Sequence, residues 1–253
     1  MSLKLWWTDI NGLFLWSTKI NQAYLWSTEV FSGITSNWLL NNLISYYEFE
    51  NNVLDSEWSN NWTNFWTSDV AGIILRGRWF DWVNDYITIS NISDYQSDNF
   101  SFSIWFNSNV FNSNNQRIIW KDAWGNTNWD WQLRYDNANN QVVFQMQDWS
   151  SEQKLFSWIW PWDIGTWYNI LVTATSTEAT IYVDSVEVDN MSITWSNANN
   201  TNDIQVWRHA TSWSNFFNWE MDEFWFWDRT LDQTDANNVY NSWNWLPYWD
   251  YTT

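Results

Sequence analysis

Short segments in which apolar and polar residues alternate recur along most of this chain, and they constrain its fold more than any other feature. In "FSFSIWF", residues 100–106, the Phe and Ile side chains would lie on one face of a strand and Ser101, Ser103 and Trp105 on the other. Clusters of Asn, Asp and Ser, which favour turns, separate one such segment from the next. This spacing predicts an all-β fold in which two antiparallel sheets pack as a jelly-roll sandwich.

The chain also carries a helix signal and a short internal repeat. A helix is predicted near residues 233–241 with Asp232 as its cap, because an Asp side chain can accept a hydrogen bond from an amide of the first turn. Residues 9–18 and 19–28 repeat as "DINGLFLWST" and "KINQAYLWST", and each copy is typical of a strand, a turn and a second strand. The predicted organisation is an N-terminal β-hairpin repeat module at 1–36, a linker at 37–42, the sandwich at 43–247 and a C-terminal tail at 248–253.

Charge and composition exclude several classes of function. The chain has 253 residues, 29 of them acidic and 10 basic, for a formal net charge of −19. Such a chain repels nucleic acid and anionic membranes, so neither is expected as a partner. Cysteine is absent, which excludes disulfides, a thiol nucleophile and a cysteine zinc site. No segment has the roughly 18 apolar residues of a membrane span, and the N-terminus lacks the pattern of an export signal.

Glycine is scarce and tryptophan abundant, with 6 Gly and 29 Trp. Average usage of about 7% would give roughly 18 glycines, and a protein rich in turns needs more. Trp82 lies in a tight polar turn, and Trp243 follows the predicted helix, where a left-handed residue usually closes the last turn. Trp16 and Trp26 precede Ser-Thr pairs between short apolar runs. Tryptophan therefore occupies places where the backbone usually needs glycine.

One hypothesis explains both anomalies. The gene would use UGA as a glycine codon, as some uncultured bacteria and their phages do. Of the 29 tryptophans, 25 would then stand for glycine and four would be genuine. Those four lie in or beside strand patterns, where an aromatic residue is expected: Trp105, Trp131, Trp167 and Trp227. The alternative is a genuinely tryptophan-rich protein that stacks sugars on many indoles.

With glycine restored, residues 43–247 resemble a laminin-G-like domain of the concanavalin A-like lectin and glucanase superfamily. The segments that carry the likeness occur in the family's order: "LISYYEFENNVLDSEWSNNWT", "FDWVNDYITI", "FSFSIWF", "GTWYNILVTAT", "ATIYVDSVEV" and "NWEMDEFWFWDRTL". Asn51 and Ser185 stand where the family often has Gly, and Asn169 where it prefers His. The resemblance implies two antiparallel sheets packed face to face, with the N-terminal and C-terminal strands as neighbours.

That neighbourhood would bring the loop "FENNVLD" beside "EMDE". Glu50, Asn52, Asp55 and Asp222 could then supply oxygen ligands to Ca²⁺, which takes about 6 to 8 of them. Related domains often hold a structural calcium near such a place. In the alternative interpretation, Glu50 and Asp222 are solvated or hydrogen-bonded to loop amides.

A hydrolytic site of the kind found in glucanases on this fold is incomplete. Those enzymes use E-x-D-x-E on one strand, whose period of two points the outer carboxylates into one cleft. Here Glu220 and Asp222 are followed by Phe224, and Glu223 would face the opposite side. His209 is the single histidine and belongs to no catalytic motif. A binding domain is therefore expected rather than a hydrolase.

Sugar recognition on this scaffold usually comes from rim loops that carry amide, carboxylate and aromatic groups. The loop "KDAWGNTNWDWQLRY" offers Asp122, Asn126, Trp131 and Arg134 as ligand-rim candidates. The alternative places Trp131 in the core and Arg134 on a solvated face.

The ten-residue repeats resemble the small N-terminal modules of phage tail and baseplate-associated proteins once Trp16 and Trp26 are read as Gly; a plain β-hairpin extension is the alternative. The sequence thus predicts a non-enzymatic phage virion protein, tail- or fibre-associated, whose sandwich binds a host-surface glycan. Other virion proteins would bind the N-terminal module, and a homo-oligomer is left open. Alternatives are a bacterial cell-surface or extracellular lectin, a glycan hydrolase or lyase on the same fold, and a virion decoration without a ligand.

Overall fold

A computed structural model of the chain describes residues 13–15, 18–20, 22–25, 28–32, 38–81, 83–90, 95, 97–109, 116–122, 129–147, 152–157, 162–194, 203–206 and 218–242. Nearly all regular structure in this part is β. The elements in chain order are β1 (Leu13–Leu15), β2 (Thr18–Ile20), β3 (Gln22–Leu25), β4 (Thr28–Ser32), a 3₁₀ turn (Trp38–Leu40), β5 (Leu43–Tyr47), β6 (Thr63–Phe65), β7 (Ser68–Ala71), β8 (Arg76–Asp81), β9 (Tyr86–Ile89), β10 (Phe100–Ser108), β11 (Gln116–Asp122), β12 (Trp129–Asp136), β13 (Gln141–Gln147), β14 (Glu152–Phe156), β15 (Trp167–Ala174), β16 (Glu178–Val183), β17 (Val186–Ser192), β18 (Ile204–Val206), β19 (Asn218–Trp227) and α1 (Gln233–Ser242).

Two antiparallel sheets form the sandwich. One has eight strands in the order β17-β16-β15-β10-β19-β8-β7, with β5 also paired to β19. The other has seven strands in the order β14-β13-β12-β11-β18-β9-β6. Strand β5 near the N-terminus and β19 near the C-terminus are therefore neighbours, as the family resemblance implies.

The main hydrophobic core lies between the two sheets. Phe100, Phe102 and Phe106 of β10 point into it, as the alternation predicts, and share it with Trp131 and Leu133 of β12. Removal of such apolar surface from water, worth about 25 cal/mol per Å², is the dominant favourable term in folding. The predicted fold class is confirmed: the described part of the chain is an all-β antiparallel sandwich, consistent with a jelly roll, with one short helix.

The outer face of the eight-stranded sheet is buried as well, which the alternation alone does not predict. A second hydrophobic cluster covers it, in which Trp227 of β19 packs with Leu39, Leu231 and Val239. The Trp227 indole nitrogen donates a hydrogen bond to the Leu39 carbonyl at 2.6 Å. Leu39, which lies in the predicted linker, is therefore part of the packed structure of the sandwich.

Three turn residues with left-handed backbone bear on the sequence predictions. Asn51 has φ 61° and Ser185 has φ 66°, and both stand where the family resemblance expects Gly. Trp66, between β6 and β7, has φ 69° and is 66% exposed. A bulky L residue is uncommon in this conformation because its Cβ crowds the backbone, whereas Gly adopts it without that cost.

The tryptophans predicted to stand for glycine have different surroundings in the structure. Trp120 and Trp225 lie inside strands and are 2% and 3% exposed, whereas Trp58 and Trp66 lie in loops and are about two-thirds exposed. Trp62 also lies in a loop but is buried. Outside the described residues lie Trp16, Trp26, Trp82 and Trp243.

The helix follows the sequence prediction, whereas the N-terminal strands pair across the boundaries of the ten-residue copies rather than within each copy. The Asp235 amide donates to Asp232 Oδ1 at 2.9 Å, and the Asp232 amide donates to Asp235 Oδ2 at 3.3 Å. These reciprocal bonds confirm Asp232 as the cap of α1. Strands β1 and β2 form one antiparallel pair, and β3 and β4 another. In the described part of the chain, no helix has the length and apolar character needed to cross a membrane.

Candidate functional site

A row of directly opposed residues crosses the whole seven-stranded sheet. Opposed residues share a face of the sheet, and the strand neighbours of this row, such as Leu133 and Ile204, belong to the main core. The row therefore lies on the outer face, and we call it the polar row. From β14 to β6 it comprises Lys154, Gln145, Gln132, Trp120, Gln205, Thr88 and Thr63.

The middle of the polar row is a connected set of amide, guanidinium and indole groups. Gln132 Nε2 donates to Gln145 Oε1 at 3.0 Å, and Arg134 Nε donates to the same oxygen at 3.1 Å. The Arg117 guanidinium lies over the Trp120 ring, 4.6 Å from its centroid, in a cation–π contact. Gln132 and Gln145 are only 5% and 3% exposed, so their amides are held in fixed positions.

Two amide oxygens of the row have no partner among the described residues. Gln132 Oε1 and Gln205 Oε1 are buried atoms without a hydrogen-bond donor in this part of the structure. A buried acceptor that lacks a donor costs about 1–3 kcal/mol, so such atoms favour a water molecule or a ligand hydroxyl as donor. Burial lowers the pKa of Arg134, whereas Asp136 and Glu152 raise it, and the guanidinium remains charged.

The ligand-rim candidates are only partly brought together. Arg134 lies beside the polar row. Trp131 is fully buried in the core, with Phe102 stacked 5.1 Å away, which corresponds to the alternative interpretation and removes it from any rim. For Asp122 only the backbone, at the end of β11, is described, and Asn126 lies outside the described residues. Gln132 and Gln145, which sequence reasoning missed, alternate with core residues in "WQLRYD" and "VVFQMQ".

A β-bulge interrupts β19 where its neighbour changes. Strand β8 pairs with Asn218–Met221, and β5 pairs with Phe224–Trp227. The intervening Asp222 and Glu223 fall between the two neighbours, and Glu223 adopts a left-handed φ of 51°. The pairing with β10 shifts register at the same place, so the strand carries an extra residue there.

The bulge places both carboxyl groups on the outer face of the eight-stranded sheet. Asp222 lies opposite Trp105, which stacks on Tyr240 of α1. Glu223 accepts a hydrogen bond from the Tyr46 hydroxyl, and Tyr46 belongs to the second hydrophobic cluster. The prediction that Glu223 faces away from Asp222 is therefore wrong, because the extra residue cancels the period of two.

Burial governs the electrostatics of this pair. Desolvation raises the pKa of Asp222 well above its ordinary value, Glu223 raises it further, and amide hydrogen bonds from Ile74 and Glu223 lower it. Desolvation also raises the pKa of Glu223. The hydrogen bond from Tyr46 lowers this pKa, and the charges of Glu48 and Glu50 raise it. Adjacent buried carboxyls cannot both ionise cheaply, so the pair favours holding a proton.

The four predicted calcium ligands already accept hydrogen bonds from the protein. Glu50 Oε1 accepts the Arg76 amide at 3.1 Å, and Asn52 Oδ1 accepts a loop amide at 2.8 Å. Asp55 accepts three amides at 3.0–3.2 Å, and Asp222 Oδ2 accepts one at 3.0 Å. No three His, Asp or Glu side chains within the described ranges are placed to hold a metal ion. The described side chains are therefore not gathered as metal ligands, and the calcium site stays a prediction.

The carboxyl groups of β19 are poorly placed for hydrolysis. Glu220 Oε2 accepts a hydrogen bond from Asn107 Nδ2 at 3.0 Å. Phe224, at the position of the third carboxylate in glucanases of this fold, is fully buried in the core. Asp222 is fully buried, and Glu223 lies against Tyr46 of the second hydrophobic cluster, so the protein itself covers both groups.

Comparisons with known proteins agree with this architecture. The family model described as concanavalin A-like lectin/glucanases superfamily matches residues 81–237. Domain 4 of AbnA, a GH43 extracellular arabinanase from Geobacillus stearothermophilus solved with arabinotriose, has a TM-score of 0.63 at 13% identity, covering 78% of this chain and 98% of that one. No curated protein matches the chain significantly.

Two toxin structures are similar as well. The binding domain of Paraclostridial Mosquitocidal Protein 1 has a TM-score of 0.67 at 15% identity, covering 80% of this chain and 52% of that one. Botulinum neurotoxin type C, whose cell entry is dependent upon interaction with two ganglioside molecules, has a TM-score of 0.61 at 18% identity, with 80% and 51% covered. The match spans about half of each toxin chain, and at these identities it shows the fold alone.

Proposed function

The chain belongs to the concanavalin A-like lectin/glucanase superfamily. We propose that its sandwich binds a cell-surface glycan and catalyses no reaction. The observation that carries the proposal is the pair of amide oxygens in the polar row, of Gln132 and Gln205, that have no partner among the described residues. Gln205 and Arg134 are half-buried, so a ligand would approach the row there, above the buried amides of Gln132 and Gln145. The similar arabinanase domain was solved in complex with arabinotriose, and cell entry of the type C toxin depends on interaction with two ganglioside molecules.

The polar row suits sugar hydroxyls chemically. A sugar hydroxyl can donate to an amide oxygen of Gln132 or Gln205 while it accepts from a neighbouring N–H group. Arg117 and Arg134 add charged donors, which form stronger hydrogen bonds than neutral ones. Trp120 is one of the tryptophans that the recoding hypothesis replaces, but the amides and guanidinium groups are independent of it.

The site can be tested with a glycan array and one pair of variants. We expect Gln205→Ala to weaken binding of the best glycan about three- to tenfold, because a hydrogen bond is worth about 0.5–1.5 kcal/mol. Gln153→Ala, the same change in β14 outside the polar row, should bind like the unaltered chain. Equal affinity of the two variants would reject the polar row, and an array without any bound glycan would reject glycan binding. Release of reducing ends from a polysaccharide panel would overturn the non-enzymatic assignment.

We place the protein on a phage particle, attached through the N-terminal hairpin repeats, with the sandwich displayed as an adhesin. Many copies on one particle would combine weak contacts into high avidity, since later contacts form at high effective concentration. The support is the resemblance of the repeats to modules of phage tail proteins and their pairing as short hairpins. Capsid, portal or tail genes beside this gene would support the assignment, whereas sortase or secretion genes would favour a bacterial surface lectin.

UGA decoding as glycine is part of the same proposal. It is supported by Trp66, an exposed loop residue with a left-handed backbone. The codons decide it: UGA at the loop positions is expected, and UGG there would end the hypothesis. Peptide mass spectrometry of the native protein at Trp66 provides a second measurement.

A further inference from the structure

A groove of about 260 Å³ opens on the outer face of the eight-stranded sheet, away from the polar row. It lies over β15, β16 and β17, next to the segment that leads into α1. Its volume approaches the lower end of small-molecule pockets, about 300 Å³. Eight of its ten lining residues carry polar side chains, and the argument uses Thr173, Glu178, Thr180, Tyr182, Glu187 and Asn190.

The floor of the groove is held in place by hydrogen bonds. Asn190 Nδ2 donates to Glu178 Oε1 at 2.9 Å and to Thr180 Oγ1 at 2.7 Å. Thr180 lies directly opposite both Asn190 and Thr173, and Thr173 Oγ1 accepts the Leu231 amide at 3.1 Å. These polar groups are therefore fixed before a ligand arrives, which reduces the entropy lost on binding.

The groove is strongly negative. Burial raises the pKa of Tyr182, and so do the charges of four carboxylates, in decreasing order Glu187, Asp232, Glu178 and Asp235. Arg229 pairs with Asp235 at 2.8 Å and offsets one of them. Among the described residues that line the groove none is Lys or Arg, so the remaining negative charge faces any ligand directly.

We propose that this groove binds a sugar carrying a protonated amine, such as a glucosamine unit with a free amino group. The inference rests on the proposed glycan-binding function and deepens it by naming a ligand class at a second site. The ammonium group would lie near Glu187 and Glu178, and ring hydroxyls would bond to Thr180 and Asn190. Sugars with carboxylates would be repelled, and N-acetylation would remove the charge on which recognition depends.

The lining is also independent of the decoding hypothesis, because it contains no tryptophan. The groove can therefore be tested on the chain as printed and on a glycine-restored chain. A bare metal ion is a poorer occupant, since within the described ranges no three acidic or His side chains converge as metal ligands do.

Calorimetric titration of the full chain with glucosamine tetramer, against N-acetylglucosamine tetramer as the matched probe, tests the proposal. We expect the free-amine tetramer to bind at least about tenfold more tightly, with an affinity that falls as salt screens the charges. Glu187→Gln should weaken its binding about three- to fivefold, the effect of losing one partly solvated charge pair. Asp163→Asn removes the same charge at an exposed position outside both the groove and the polar row and should leave the affinity unaltered.

The outcomes separate the two proposals. Equal binding of both tetramers, or equal affinity of the Glu187→Gln and Asp163→Asn variants, overturns the groove. If array glycans still bind and Gln205→Ala still weakens them, the glycan-binding function stands without the groove. If the amine tetramer binds through Glu187 while Gln205→Ala changes nothing, the groove stands and the polar row fails. Glu187 is exposed, so Glu187→Gln should fold, and thermal unfolding checks this.

Discussion

The outer face of the eight-stranded sheet is apolar over much of its area and is covered by α1, while the outer face of the seven-stranded sheet carries the polar row. Trp227 and Tyr46 pack beneath the cover on the first face, whereas Gln132 and Gln145 form an amide network on the second. Both sheets alternate in the same way toward the shared core. The alternation therefore fixes which residues face the core, and the chemistry of the other face depends on what covers it.

The largest effect should come from removing the main side chain under the cover. We expect Trp227→Ala to cost about 3–5 kcal/mol of unfolding free energy, because it leaves a cavity and the Leu39 carbonyl loses its indole donor. Thr63→Ala, at the exposed end of the polar row, should change it by less than about 0.5 kcal/mol. Urea unfolding measures both. Similar costs for the two variants would contradict the contrast between the faces.

The Asp222–Glu223 bulge should make stability depend on pH. The pKa values of both groups are raised in the folded protein. The free energy of unfolding therefore receives their full contribution below a pH of about 4, the ordinary pKa in the unfolded chain, and loses it as the pH rises through the folded pKa values. Each retained proton contributes a slope of at most about 1.4 kcal/mol per pH unit. Glu223→Gln should flatten this dependence, since Gln does not titrate. A free energy of unfolding that increases from pH 5 to pH 8 would contradict the prediction.

Loss of the cap of the covering helix should have a smaller effect. Asp232→Ala removes the acceptor of the Asp235 amide and is expected to cost about 1 kcal/mol. Asp232→Asn keeps a capping oxygen and should restore most of the stability. Urea unfolding of both variants checks this, and equal losses would show that Asp232 acts through its charge rather than as a cap.

Calcium should have the smallest effect. Glu50 and Asp222 already accept amide hydrogen bonds, which would compete with a metal ion, so millimolar Ca²⁺ is expected to add less than about 1 kcal/mol to the unfolding free energy. Glu50→Gln should abolish that gain. Thermal unfolding with calcium and with a chelator measures the gain in stability. Identical curves for the unaltered chain would reject the predicted calcium site.

The sequence was informative wherever a local rule decides the structure. The face of β10, the cap at Asp232 and the turn at Ser185 were all readable from period, side-chain chemistry and the family resemblance. The bulge at Asp222–Glu223 lies where one neighbouring strand replaces another, and it was missed because an uninterrupted period of two was assumed for β19. The core residues do change spacing there, since Trp219 and Met221 are two apart and Met221 and Phe224 three apart.

The candidate site was less accessible from the sequence. Gln132 and Gln145 are 13 residues apart and become partners only through the register of β12 and β13. Trp131, one residue away, points to the opposite face and lies in the core. To choose between Trp131 and Gln132 as the ligand residue, one must know which face of β12 points to the core. The sequence of the segment at residues 121–135 does not reveal this.

The hydrogen bond between Trp227 and Leu39 has a practical meaning for fragment design. An expression fragment that begins at Leu43, the first residue of β5, would lose the acceptor of the buried indole and the side chain that packs beside it. The newly bared apolar surface would favour aggregation. The smallest autonomous unit should therefore retain the 3₁₀ turn at Trp38–Leu40 as its first ordered segment.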